Sequence, residues 1–301
     1  MLNKNTSSLI LIVIAGLLLL GCSQDLIVKT AVETIPPAQQ YIAATQTQVS
    51  IPTLTVTPTA RFIPEAWRTW PVVPDVTARA REIYKKGREL GNNPHAFSKI
   101  GDCQNLKNAF LGFYDNPAAY DPNGRVKPYL DTIEYFKGYW NRDGEATKFG
   151  FTAASPLSPI WADPDNCLPD ENPMECELRI TRPSFVLISL EFAFKERTAE
   201  IYERYMRQII EYVISQGAVP ILATKADNME KDHSINLTTA KLAYEYDLPL
   251  WNFWLAAQPL ADHGIDPLRD GFHISVQAWN ERSFTFLQTL DHLWKGLRDI
   301  Q

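Results

Sequence analysis

The chain has 301 residues, 45% of them hydrophobic and 21% charged, which provides apolar material for one globular domain of ordinary size with segments left over. A formal net charge of −6 at pH 7, with no basic run anywhere, gives no footing for a nucleic-acid partner.

The first element is not part of a fold. One lysine in MLNKNTSS precedes the short apolar core LILIVIAGLLLL, the layout of an export signal rather than a permanent membrane helix. Leu19-Leu20-Gly21-Cys22 resembles the lipobox of bacterial lipoproteins. That resemblance implies cleavage before Cys22, lipid on its thiol, and a protein exported and held on the outer face of a bacterial membrane without spanning it. A plain signal peptide or a short anchor helix is the alternative. Residues 23–74, rich in Thr, Gln, Pro and Ala around IPTLTVTPTA, read as a tether. Near its end, Trp67 and Trp70 are candidates to dock on the domain edge. The folded domain is expected over 75–301.

Of four cysteines, Cys22 goes to lipid, and Cys167 and Cys176 flank the polar stretch LPDENPME. An exported chain permits a disulfide closing that loop. Cys103 stands outside the pair, either reactive or a small buried hydrophobe.

From Asp75 the pattern alternates. Asp75 or Thr77 can cap a helix through ARAREIYKKGREL that ends near Gly91, and AFSKIGD is a first strand. Residues 104–115 read as helix or loop, and 128–140 as a helix with Tyr129, Ile133, Phe136 and Tyr139 on its apolar side. Phe185–Leu190 is a nearly continuous apolar run, as expected of a parallel strand covered on both faces. A long amphipathic helix follows, with Ile201, Tyr205, Ile209, Tyr212 and Val213 as its apolar positions and Gly217 as its stop. Then come the strand AVPILAT, the helix INLTTAKLAYEYD, the strand LPLWNFW, in which Trp251, Phe253 and Trp254 are read as core, and a last helix over 276–299. GYWNRDG, residues 138–144, is a candidate loop over a cleft.

Strands alternating with helices predict an α/β fold, a parallel sheet between two helical layers. Ligands of such sheets bind at the carboxyl ends of the strands. That rule selects Asp102 and Cys103, Leu190 and Glu191, Thr224, Lys225 and Asp227, and Asn252, together with DPLRDGFHIS before the last helix. In the last, Asp270 and His273 lie three apart. A histidine with a carboxylate to orient it is the acid–base half of a nucleophilic triad, and a thiol beside an imidazole readily becomes a thiolate. His95 and His233 have no companions at metal-ligand spacing and His263 reads as a loop residue, so no metal or cofactor is expected.

Over roughly residues 95–295 the chain resembles the SGNH (GDSL) hydrolases. The resemblance implies a flavodoxin-like three-layer α/β/α fold and acyl-ester hydrolysis, here with an acylated or cell-surface glycan as the expected substrate. Gly101 and Asp102 match the block after the first strand, with Cys103 where the family has its serine nucleophile. Asp270 and His273 match the last block as orienting carboxylate and general base. Gly150-Phe151-Thr152 matches the glycine block, so that the N–H groups of Cys103 and Gly150 would bind the oxyanion. The third block departs: Glu191-Phe192-Ala193-Phe194 stands where the family has Gly-x-Asn-Asp, and one oxyanion donor is worth about 10²–10³ in turnover. The second expectation is therefore an inactive relative that binds a carbohydrate or cell-wall ligand in a polar cleft of Asp102, Glu191, Lys225, Asp227 and His273.

Overall fold

The computed structural model describes residues 64–190 and 198–300. Cys22, most of the expected tether and Glu191 lie outside the described residues.

Among the described residues four parallel strands form the sheet: β1 (Asn93–Gly101), β2 (Pro183–Ser189), β3 (Val219–Ala223) and β4 (Leu250–Trp251), in the order β1-β2-β3-β4. On the outer side of β1, Thr147 makes a parallel bridge with Gly101. Counting that short pairing as a strand in chain sequence, the order becomes 2-1-3-4-5, that of flavodoxin-like sheets. The expected α/β architecture is present.

Among the described residues seven α-helices accompany the sheet: α1 (Ala78–Glu89), α2 (Leu130–Tyr135), α3 (Pro173–Thr181), α4 (Ala199–Ser215), α5 (Ser234–Glu245), α6 (Phe253–Ala257) and α7 (Val276–Leu297). Crossovers that step the same way across a parallel sheet lie on the same face. α3, α4 and α5 are such crossovers, and Tyr202 of α4 meets Thr239 of α5 through their hydroxyls at 3.0 Å. The other face carries α1, α2 and α7. There Phe97 and Phe185, register partners on β1 and β2, pack on Tyr84, Phe136, Trp140 and Phe286 with ring centres 4.9–6.2 Å apart. Each such fully buried ring contributes about 1.5–3 kcal/mol.

Local chemistry sets the boundaries. The Thr77 hydroxyl caps α1 by accepting from Ala80 N–H at 3.0 Å, and donates to the Asp247 carbonyl at 2.6 Å. Thr198 and Ser275 cap α4 and α7 in the same way. Four expectations change. The 128–140 helix is only α2, followed by turns through Gly138 at φ +89°. The buried face of α4 is Tyr202, Met206, Ile209, Ile210 and Val213, one position over from the predicted stripe, with Ile201, Tyr205 and Tyr212 on its margins. LPLWNFW is strand only at Leu250–Trp251, because the Asn252 side chain accepts from Leu255 N–H at 3.2 Å and starts α6. Residues 138–144 are no free flap: Trp140 is fully buried and Arg142 pairs with Glu177.

The packed body already includes Trp67, ahead of the expected Asp75. Trp67 is buried, and the Asn252 side-chain amide donates to the carbonyls of Trp67 and Trp70 at 2.9 and 3.0 Å. The Cys167–Cys176 disulfide is formed and joins the preceding loop to α3. With nine residues of separation between its cysteines, its reduction should cost about 2–3 kcal/mol, seen as a lower urea midpoint with dithiothreitol present. Glu145 approaches both sulfurs, but sulfurs tied to each other offer no thiolate to a cation.

Candidate active site

β1 runs into a tight turn. The Asp102 carboxylate accepts from Gln104 N–H at 2.9 Å and starts the single 3-10 turn Cys103–Asn105. Asn105, fully buried, spans to the next strand: its amide donates to the Ser189 carbonyl at 2.9 Å and to Asp102 Oδ1 at 3.3 Å. Arg282 of α7 reaches under the same turn. It donates to the Gln104 carbonyl at 2.7 Å, Asn105 Oδ1 at 3.1 Å and Ser189 Oγ at 2.9 Å, with its guanidinium 4.2 Å from the Phe110 ring centre. Cys103 is half-buried at the start of this turn.

This packing explains Gly101. A β-carbon there would lie 2.3 Å from the Asn105 amide nitrogen. Gly101→Ala should therefore displace Asn105 and destabilise the protein by about 1–3 kcal/mol, measurable by urea denaturation.

The Asp270–His273 loop is a compact unit. Asp266 N–H donates to the His273 carbonyl at 2.9 Å, and Ile265 bridges Ile274. Asp270 Oδ1 accepts from the N–H groups of Phe272 and His273, both at 3.1 Å, and the carboxylate meets His273 Nδ1 at 2.9 and 2.8 Å. A proton on Nδ1 satisfies that contact and leaves Nε2 to act as the base. The hydrogen bonds from His273, first its ring and then its backbone, hold the Asp270 carboxyl well below the usual carboxylate range.

A side-chain hydrogen bond joins the two segments. Gln104 Nε2 donates to the Phe272 carbonyl at 3.2 Å. Gln104 follows Cys103, and Phe272 precedes His273, so the turn bearing the thiol and the loop bearing the imidazole are set against each other.

The glycine segment lies on the same edge. Gly101 N–H donates to the Ala146 carbonyl at 3.0 Å and Lys148 N–H to the Gly101 carbonyl at 3.3 Å. Gly150 follows two residues later, exposed and at φ +78°. Lys225 and Asp227, at the end of β3, are both buried and paired: Lys225 Nζ lies 2.6 Å from Asp227 Oδ1 and 2.7 Å from Glu230 Oε2. This cluster is near the same edge, since Met229 Sδ comes within 4.0 Å of where a Gly271 β-carbon would be. A cavity of about 300 Å³ lies at the opposite end of the sheet, among Leu90, Asn92, Arg179 and Arg182, and shares no residue with the site.

Several supporting residues escape sequence reading. Lys99 sits in the buried part of β1, and Glu177 on α3 is fully buried. The signals were a lysine inside an apolar strand and an Asn-Pro-Met-Glu helix start, which forms a full capping box at Asn172 and Glu175.

No family model matches the chain, and no curated protein does. Solved structures do resemble it. One is a lipolytic protein of the G-D-S-L family from Desulfitobacterium hafniense, with 14% identity, TM-score 0.42, 64% of this chain and 98% of that one covered. The esterase EstA from Pseudoalteromonas is 14% identical at TM-score 0.43, covering 67% and 98%. An acetylxylan esterase from Geobacillus stearothermophilus is 15% identical at TM-score 0.45, covering 66% and 94%. The strand order, the Asp270–His273 pair and the Gln104–Phe272 bond are properties of this chain itself.

Proposed function

We propose that this chain is an SGNH-type ester hydrolase, exported and lipid-anchored through Cys22, acting on an acylated or cell-surface glycan. The reading is carried by the Asp270–His273 pair held against the Cys103 turn by the Gln104–Phe272 bond. His273 Nε2 takes the thiol proton as Cys103 Sγ attacks the ester carbonyl carbon. The carbonyl π electrons move to oxygen, where the N–H groups of Cys103 and Gly150 can receive them. Collapse breaks the C–O bond, and the departing alkoxide takes the proton from His273. Water then attacks the thioester with His273 again as base, releasing the carboxylic acid and restoring the thiol.

p-Nitrophenyl acetate tests this directly. Wild type should hydrolyse it well above the Cys103→Ala variant, and equal rates would reject the hydrolase. Higher activity in Cys103→Ser would identify a site shaped for a hydroxyl nucleophile. A second reading, an inactive relative that binds glycan, is favoured by Glu191-Phe192-Ala193-Phe194 in place of an asparagine block. It predicts retention on a glycan array without turnover.

A further inference from the structure

Lys99 has no part in the steps above, yet it lies directly beneath them. It is 2% exposed, and its Nζ donates to the Asn105 carbonyl at 2.6 Å, 5.9 Å from the Phe110 ring centre. Its own carbonyl accepts from Thr147 Oγ1 at 2.8 Å. One residue thus joins the turn bearing Cys103 to the segment leading to Gly150.

The charged groups facing Lys99 are Asp143 and Arg142 from the loop before Thr147, Glu177 from α3 and Arg282 from α7. Those on the Cys103 turn and the loop against it are Asp102, Asp270 and His273. Among the described residues none makes an ion pair with Lys99. Burial pushes its ammonium down to about 7, Asp143 opposing and Arg282 adding to the effect. The folded value lies below the unfolded one. The penalty on the folded state is therefore full below about pH 7 and fades as pH rises toward the ordinary lysine range. An apolar side chain of the same length would fill this space without that penalty. What the amine adds is a donor and a positive charge under the nucleophile turn, and perturbed buried groups concentrate where chemistry is done.

We propose that Lys99 is a positioning residue for Cys103: it clamps the Cys103–Asn105 turn through the Asn105 carbonyl and, while protonated, places beneath it a positive charge that favours the thiolate. The proposal rests on reading Cys103 as the nucleophile.

The test is the pH dependence of iodoacetamide alkylation in the full chain, read on the Cys103 peptide by mass spectrometry so that Cys22 does not contribute. Lys99→Met and Lys99→Gln should react about three- to ten-fold more slowly at pH 6, and the gap should close above about pH 8, where Lys99 has lost its charge. Lys99→Arg, which keeps the charge, should match or exceed wild type. Lys99→Met is expected to melt no lower than wild type, which separates lost charge from lost structure. Lys99→Gln keeps a donor and settles the matter should the methionine variant fail to fold. A glutamine profile that superimposes on wild type would overturn the proposal. Alkylation needs no turnover, so slowed alkylation of the variants at pH 6 in a protein that hydrolyses no ester rejects the hydrolase and keeps the hold of Lys99 on the thiol.

Discussion

Replacing His273 with alanine should lower ester turnover at pH 7 by about 10²–10⁴-fold, the usual contribution of a positioned acid–base group. Asp270→Asn should cost as much by another route. The carboxylate accepts from His273 Nδ1 at 2.8 Å and fixes the proton there. An amide can turn its NH₂ toward the ring, which makes Nδ1 the acceptor and moves the proton to Nε2, the nitrogen that must be bare. The pH profile separates the roles. Asp270 stays ionised far into acid because His273 bonds to it, so any acid limb above about pH 4 belongs to another group. Single-turnover rates for both variants from pH 5 to 9 check this. An asparagine variant within threefold of wild type throughout would remove Asp270 from the mechanism.

Glu177→Ala should destabilise the protein by about 3–5 kcal/mol, the cost of breaking a buried ion pair from one side. Its carboxylate is fully buried and accepts from Ser98 Oγ at 2.5 Å, Arg142 at 2.6 and 3.1 Å, Glu145 N–H at 2.8 Å and Thr181 Oγ1 at 2.9 Å. Truncation strands four of these donor groups and opens a cavity. Burial alone would raise the carboxyl's pKa, but the Arg142 bonds, with Ser98 and Glu145, outweigh it and hold it below the usual range. A depressed value means that the stabilisation is complete above the ordinary glutamate range and is lost as pH falls through the folded value. The stability gap between wild type and variant should thus be widest at pH 7 and begin to narrow below about pH 4. Urea denaturation at pH 7, 5 and 3.5 measures it, and a gap unchanged with pH would contradict the assignment. The site should loosen as well. Glu177 secures residues 142–145, which lead straight into the segment paired with Gly101 and on to Gly150.

The strands and long helices were legible because their signals are local. Phe185–Leu190 is apolar but for Ser189, and Thr77 falls beside the helix it caps. β4 was misjudged because Trp251, Phe253 and Trp254 are equally apolar in a strand or a helix, and only Asn252 decides between them. Asp270 and His273 were legible because a three-residue turn brings carboxylate to ring. Lys99, Glu177 and Arg282 were not. A charged residue in a sequence looks solvated, and the partners that make burial tolerable are distant: Ser98 lies 79 residues from Glu177, and Gln104 lies 178 from Arg282. Such contacts exist only once the sheet has brought the chain together.

The clasp of Trp67 and Trp70 on Asn252 fixes where the chain enters the body. Asn252 stands just past the carboxyl end of β4, and the Trp67 ring packs near His233 and Trp254 beyond the ends of β3 and β4. The entry point and the candidate site therefore share one end of the molecule. Under the proposed lipidation of Cys22, the chain would join the body at the end that carries the candidate site.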